Sequence, residues 1–180
     1  MAAEPWQMAE IPGPVKAFVI QKPAVVMGMM RKAQRSILVA GHLSLERLKE
    51  NTALDYAIEI ARLGKADVVA TAHIVGDAKK RGYENVYSMS AMEIAGRLQD
   101  PEWRGFDGKG RYDLALFIGL PYYMAWTILS GLKHRAAHLQ TISIDRYYQP
   151  HATWSFPNLT DEAWEENLKA VIDLLRGAKR

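Results

Sequence analysis

Four short runs, ILVAG (37–41), DVVAT (67–71), DLALFIG (113–119) and LQTISID (139–145), set the tightest limit on what this chain can fold into. None shows the polar alternation of a half-exposed strand. Each therefore reads as a strand buried on both faces, the habit of a parallel sheet covered by helices. A weaker fifth strand is expected at NVYSM (85–89).

Helical patterns fill the gaps between these runs. The first starts near Pro23, whose missing N–H is harmless in a first turn, and runs through PAVVMGMMRKA. The second has Ser44 as its expected N-cap, Leu54, Ala57, Ile58 and Ala61 on one face, and Gly64 as C-cap. A third covers 91–99 and stops before Asp100-Pro101; a fourth follows Pro121 to about Lys133. The last is capped by Thr160, carries Asp161 and Glu162 at the positive end of its dipole, and aligns Trp164, Leu168, Val171, Ile172 and Leu175 in one stripe. Strands alternating with helices predict a doubly wound α/β sheet in a single domain over 1–180, with residues 1–14 as a loosely held N-terminal arm. The Gly-rich stretch PEWRGFDGKGRY (101–112) is too long for a simple connection and is expected to be a flexible functional loop.

Composition narrows the chemistry. At 180 residues the chain can bury roughly 70% of its unfolded surface without covalent staples. It has no cysteine, which excludes disulfides, thiolate nucleophiles, Cys-type zinc sites and any iron–sulfur cluster held by these residues. No apolar run approaches the ~18 residues that span a bilayer, and the start MAAEPWQMAEIPGP lacks the basic and apolar regions of a leader, so a soluble cytoplasmic protein without membrane association is expected. The net charge is +3, but the basic residues lie in scattered short groups, against nucleic-acid binding.

Familiar catalytic signatures are absent. Lys109 in FDGKGR lacks the following Ser or Thr of a phosphate loop and precedes a strand rather than a helix. There is no G-x-G-x-x-G after a strand and no G-x-S-x-G elbow. His134 and His138 have i, i+4 spacing but no intervening Glu, and read as ordinary histidines, while His151 reads as a surface histidine.

Two groups of candidates remain. Ligands of open α/β sheets bind beyond the carboxyl ends of the strands, and those ends carry Gly41, His42, Thr71, Gly119, Asp145 and Arg146, with His73 near Thr71. The glycines would let a ligand approach the backbone, and Asp145 or Arg146 could hold a ribose or phosphate. Equally, the glycines could serve only sharp turns and the charged pair only each other or solvent. The second group is aromatic: Trp103, Phe106, Tyr122, Tyr123, Tyr147 and Tyr148 gather in the C-terminal half, several in loops, and side chains of this kind anchor interfaces.

The strands AQRSILVAGHL (33–43), YDLALFIGL (112–120) and LQTISID (139–145) resemble those of a Rossmann-like unit of the deoxyhypusine-synthase type, which in some proteins holds FAD or NAD. A more specific resemblance rests on the runs from Asp100 to Asp113 and from Ile144 to Leu159. These are similar to the epsilon subunits of archaeal acetyl-CoA decarbonylase/synthase complexes; residues 1–20 and 72–90 contribute little to the likeness. The resemblance implies an accessory, non-catalytic partner of the nickel- and iron-containing carbon monoxide dehydrogenase subunit. It implies two large and two small chains within the larger acetyl-CoA-cleaving assembly, with FAD as a possible ligand and no metal cluster in this chain. A homo-oligomer is expected of the isolated chain.

Overall fold

The computed structural model describes residues 15–71, 74–84 and 86–177, so the expected arm at 1–14 and His73 lie outside the described residues. All five residues of β2 (Ser36–Ala40) and of β5 (Leu114–Ile118) are buried, as double-faced burial requires. They pair in parallel from Ser36 opposite Leu114 to Ala40 opposite Ile118. Around them lie β1 (Phe18–Val19), β3 (Asp67–Ala70), β4 (Val86–Ser88), β6 (Gln140–Ser143) and β7 (Trp154–Ser155). The order is β1-β7-β6-β5-β2-β3-β4 with every pair parallel, which fits a Rossmann-like sheet.

Alternate strand residues feed two cores. Leu38, Ala40, Val68, Leu116, Ile118 and Ile142 face one side, covered by α1 (Ala24–Lys32), α2 (Ala53–Gly64), α3 (Val75–Lys80) and α6 (Asp161–Gly177). Ile37, Val39, Val69, Ala115 and Phe117 face the other, under α4 (Ala91–Gln99) and α5 (Tyr122–Arg135). Helices on both faces exclude water from both, which is why the strands could be apolar throughout.

Several local expectations change. Ser44 does not cap α2; it lies in a 3-10 turn, His42–Leu45, directly after β2. Thr52 caps α2 instead, in a reciprocal capping box with Asp55. Gly64 is the last helical residue, and Lys65 takes the left-handed position after it, at φ 56°. The strands β1 and β7 and the helix α3 were not foreseen: β1 and β7 have two residues each and α3 only six, too short to leave a period in the sequence. The predicted caps at Thr160 and the apolar stripe of α6 are present, the Ala163 amide donating to the Thr160 hydroxyl at 3.3 Å. No described helix is long and apolar enough to cross a membrane.

Candidate functional site at the carboxyl edge of the sheet

From β2 the chain proceeds outward to β3 and β4, then returns to place β5 on the other flank of β2. The strand order thus reverses between β2 and β5, whose carboxyl ends are Gly41 and Gly119. Here the glycines are occupied with the chain itself. The Gly41 amide donates to the Ile118 carbonyl at 2.8 Å, and the Leu43 amide donates to the Gly119 carbonyl at 2.9 Å. The Ser44 hydroxyl closes the turn by donating to the Gly41 carbonyl at 2.6 Å. A Cβ on Gly41 would fall 2.3 Å from the Gly119 carbonyl oxygen, and one on Gly119, whose φ is +69°, would fall 2.3 Å from the Ser44 nitrogen. Both positions need glycine because backbone meets backbone there, with the 3-10 turn packed against the strand ends.

One strand further out the surface opens. A cavity of about 220 Å³ lies at the ends of β5 and β6, with Leu43, Leu120 and Trp164 as its apolar wall. Tyr122 and Tyr147 flank it, and Glu46, Asp145, Arg146 and Gln149 supply its polar groups. The Asp145 carboxylate accepts from the Gly119 amide at 2.9 Å. Burial pushes its pKa up to about 7; the Glu46 charge adds to this, and the Gly119 and Leu120 amides oppose it. Arg146 is shared between Asp161 and Glu46, the latter at 3.6 Å, and its guanidinium lies 4.8 Å from the centre of the Tyr147 ring. Gln149 is 2% exposed and donates from its side chain to the Tyr122 carbonyl at 3.4 Å. Its own carbonyl oxygen is buried with no donor among the described residues.

The structure therefore gathers Asp145, Arg146, Tyr122 and Tyr147 from the two predicted groups, sets Gly41 and Gly119 against each other, and leaves the others apart. His42 is exposed in the 3-10 turn. Thr71 continues the β3 ladder, donating to the Ala40 carbonyl at 3.1 Å, and does not line the cavity. Tyr148 is buried, its hydroxyl donating to the Ala17 carbonyl at 2.6 Å, whereas Tyr123 is 71% and Tyr147 49% exposed. His151 is buried, not superficial, edge-on to Trp126 at 4.6 Å between ring centres.

Trp103 and Phe106 lie at the opposite end of the sheet and are not on a free loop. Phe106 stacks on Tyr87 at 3.8 Å, and Trp103 meets Phe106 edge-on at 5.2 Å. Arg35 clamps the same loop through the Gly110 carbonyl and, at 2.7 Å, the Asp107 carboxylate. Sequence reasoning missed Glu46 and Gln149, since a Glu and a Gln in connecting segments carry no pattern; only their approach in three dimensions marks them. Among the described residues no group of three or more His, Asp or Glu side chains could hold a metal ion.

Comparison with known proteins agrees with the family resemblance. A family model described as CO dehydrogenase beta subunit/acetyl-CoA synthase epsilon subunit matches residues 1–172, including the segments 1–20 and 72–90 that had contributed little. The acetyl-CoA decarbonylase/synthase complex subunit epsilon of Methanothermobacter thermautotrophicus is 37% identical over 167 residues, covering 93% of each chain. That of Methanothrix soehngenii is 39% identical over 86% of this chain and 81% of its own. Subunit epsilon 1 of Archaeoglobus fulgidus is 40% identical over 86% of this chain and 83% of its own.

Proposed function

The chain belongs to the CO dehydrogenase beta subunit/acetyl-CoA synthase epsilon subunit family, and on that footing we propose that it is a non-catalytic accessory subunit of the carbon monoxide dehydrogenase component. It stabilises the catalytic subunit in a complex of two large and two small chains, within the acetyl-CoA decarbonylase/synthase assembly. The observation that carries this reading is the carboxyl edge of the sheet. There Tyr147 and Leu43 line the cavity with 49% and 44% exposure, and Tyr123, in the first turn of α5, is exposed as well. Large aromatic and aliphatic side chains grouped around a cavity have the composition of an interface centre. The sequence supports the division of labour: without cysteine these residues cannot ligate an iron–sulfur cluster, so that chemistry falls to a partner.

Anaerobic co-expression with the large subunit tests the proposal. The two chains are expected to co-elute, and Tyr123→Ala or Tyr147→Ala to weaken association by about tenfold or more while leaving thermal unfolding of the small chain unchanged. Wild-type chains that elute separately would sink it.

Assistance of electron transfer through bound FAD is the second reading, supported by the all-parallel Rossmann-like sheet and by the resemblance of its strands to the deoxyhypusine-synthase-like NAD/FAD-binding type. Against it, Gly41 and Gly119 pack against each other and against the 3-10 turn, and their close approach is already used within the chain. Flavin fluorescence during titration of the isolated chain and of the complex separates the readings; quenching at micromolar FAD in either preparation favours the second.

A further inference from the structure

We infer that the cavity between the ends of β5 and β6 seats one uncharged aromatic side chain carried on the surface of the large subunit. This rests on the accessory-subunit reading. Size is the first argument. At about 220 Å³ the cavity is smaller than the ~300–1,000 Å³ typical of pockets for drug-sized molecules, and larger than the ~150 Å³ of an apolar cavity that takes up benzene. The ring of a single side chain falls between those limits.

Charge is the second, and it selects against ions. Every charged group that lines the space is already engaged within the chain. Arg146 pairs with Asp161 and, at 3.6 Å, with Glu46. The Asp145 carboxylate accepts from the Gly119 amide at 2.9 Å and from the Leu120 amide. Gln149 donates from its side chain to the Tyr122 carbonyl at 3.4 Å, while its carbonyl oxygen and the Arg146 Nε are sealed from solvent and meet no guest. A charged occupant would shed its hydration without meeting an unshared counter-charge, a cost that an uncharged one avoids.

Apolar surface is what stays open. Leu43 and Tyr147 line the cavity at 44% and 49% exposure, beside a wall made by Leu120 and Trp164, which are 4% and 1% exposed. The Trp164 indole N–H donates to the Ile144 carbonyl at 2.8 Å, so the wall presents carbon rather than a donor. A guest that covers Leu43 and Tyr147 removes their apolar surface from water. Three of the lining residues, Tyr122, Tyr147 and Trp164, are aromatic, and a ring among rings adds edge-to-face or offset contact that an aliphatic chain lacks. A protein is the source because a lone ring has too few atoms to bind tightly by itself, whereas the same ring at the centre of a larger contact is the common form of an interface anchor.

The test has two arms. In the first, the full chain labelled with nitrogen-15 is titrated with the N-acetyl amides of phenylalanine, leucine, arginine and glutamate. Saturable shifts of the Gly119 amide and the Trp164 indole resonances are expected with the phenylalanine compound, weaker with the other three, undiminished by added salt and lost in Leu43→Glu. In the second, Leu43→Glu is expected to weaken the complex by about tenfold or more, with unfolding of the small chain unaltered because Leu43 is exposed. No shift with millimolar phenylalanine amide, or a response no greater than that to the other three compounds, overturns the inference. So does a Leu43→Glu complex of wild-type affinity. Failure of the wild-type chains to associate defeats the accessory reading instead, and the titration still reports on the cavity.

Discussion

The Asp145 carboxyl sits against the end of β5 with two backbone amides on one side and the Glu46 carboxylate on the other, and its pKa rises to about 7 from a usual 3.8 because burial outweighs the amides. A proton held more tightly by the folded than by the unfolded chain makes stability fall as pH rises from about 4 to about 7, and stay at the lower level above that. Buried His151 works in the opposite direction. Burial, with Lys133 and His134 nearby, lowers its pKa below the usual 6.5, so its contribution to stability returns as pH rises towards that value. Comparing Asp145→Asn with wild type separates the two, since the asparagine still accepts from Gly119 and the histidine is common to both. Urea denaturation across pH should show the variant's advantage to be smallest near the ordinary carboxylate range and largest above about 7. Parallel curves would refute the assignment. The identity of Asp145 as a strand-end residue was legible in the sequence, but its raised pKa was not, because it comes chiefly from burial in the folded chain, with Glu46, about a hundred residues away, adding to it.

Among the elements, α2 and α6 show what patterning reveals and what it conceals. The α6 stripe was legible because the core contacts recur at helical spacing, and Trp164 adds only a bond from its indole N–H to the Ile144 carbonyl at 2.8 Å. Glu165, beside it in sequence, reads as a solvated helix residue yet is 3% exposed. It accepts from the Tyr56 hydroxyl at 2.5 Å and from the Lys49 and Glu50 amides at 3.1 and 3.0 Å, partners more than a hundred residues distant. Burial alone would raise its pKa, but the Tyr56 hydroxyl, the two amides and Lys169 together bring it below the usual value. This carboxylate thereby pins the segment that leads from the 3-10 turn into α2. The misplaced cap has the same origin. Ser44 and Thr52 are equally good cap types, and the deciding signal was Asp55 three residues after Thr52, which completes the box. Replacing Glu165 by Gln turns one acceptor into a donor facing a backbone N–H, and should cost about 2–3 kcal/mol. Tyr56→Phe, which removes a single bond to a charged group, should cost about 1.5 kcal/mol. Both are read from urea midpoints at unchanged m-value; equal midpoints for Glu165→Gln and wild type would show that the carboxylate is not needed.

At the scale of the whole molecule, the two ends of the sheet differ in what they carry: a packed loop at the amino edge and an open cavity at the carboxyl edge. The parallel, double-faced sheet was legible because its central strands β2, β3 and β5 are almost continuously apolar, and the general rule for α/β sheets pointed to the carboxyl edge. The role of the 101–112 loop was not legible: a Gly-rich run with Trp and Phe reads as a mobile binding loop until Arg35, 70 or so residues earlier, is seen to hold it at the amino edge. With Phe106 stacked on Tyr87 and both Trp103 and Phe106 packed against the core under α4 and α5, we propose that this loop serves stability and that docking uses the carboxyl edge. That assignment predicts a double dissociation. Phe106→Ala should lower the unfolding free energy by roughly 2–3 kcal/mol, less than the ~3–5 kcal/mol of a fully buried Phe because the ring is only half-buried. The folded fraction should still bind the large subunit with wild-type affinity. Tyr123→Ala should do the reverse, since a side chain 71% exposed contributes little to the monomer. Denaturation of the isolated chains and affinity of the folded ones, measured on the same two variants, decide the matter. A Phe106→Ala chain with native stability and lost affinity would move the interface to the amino edge.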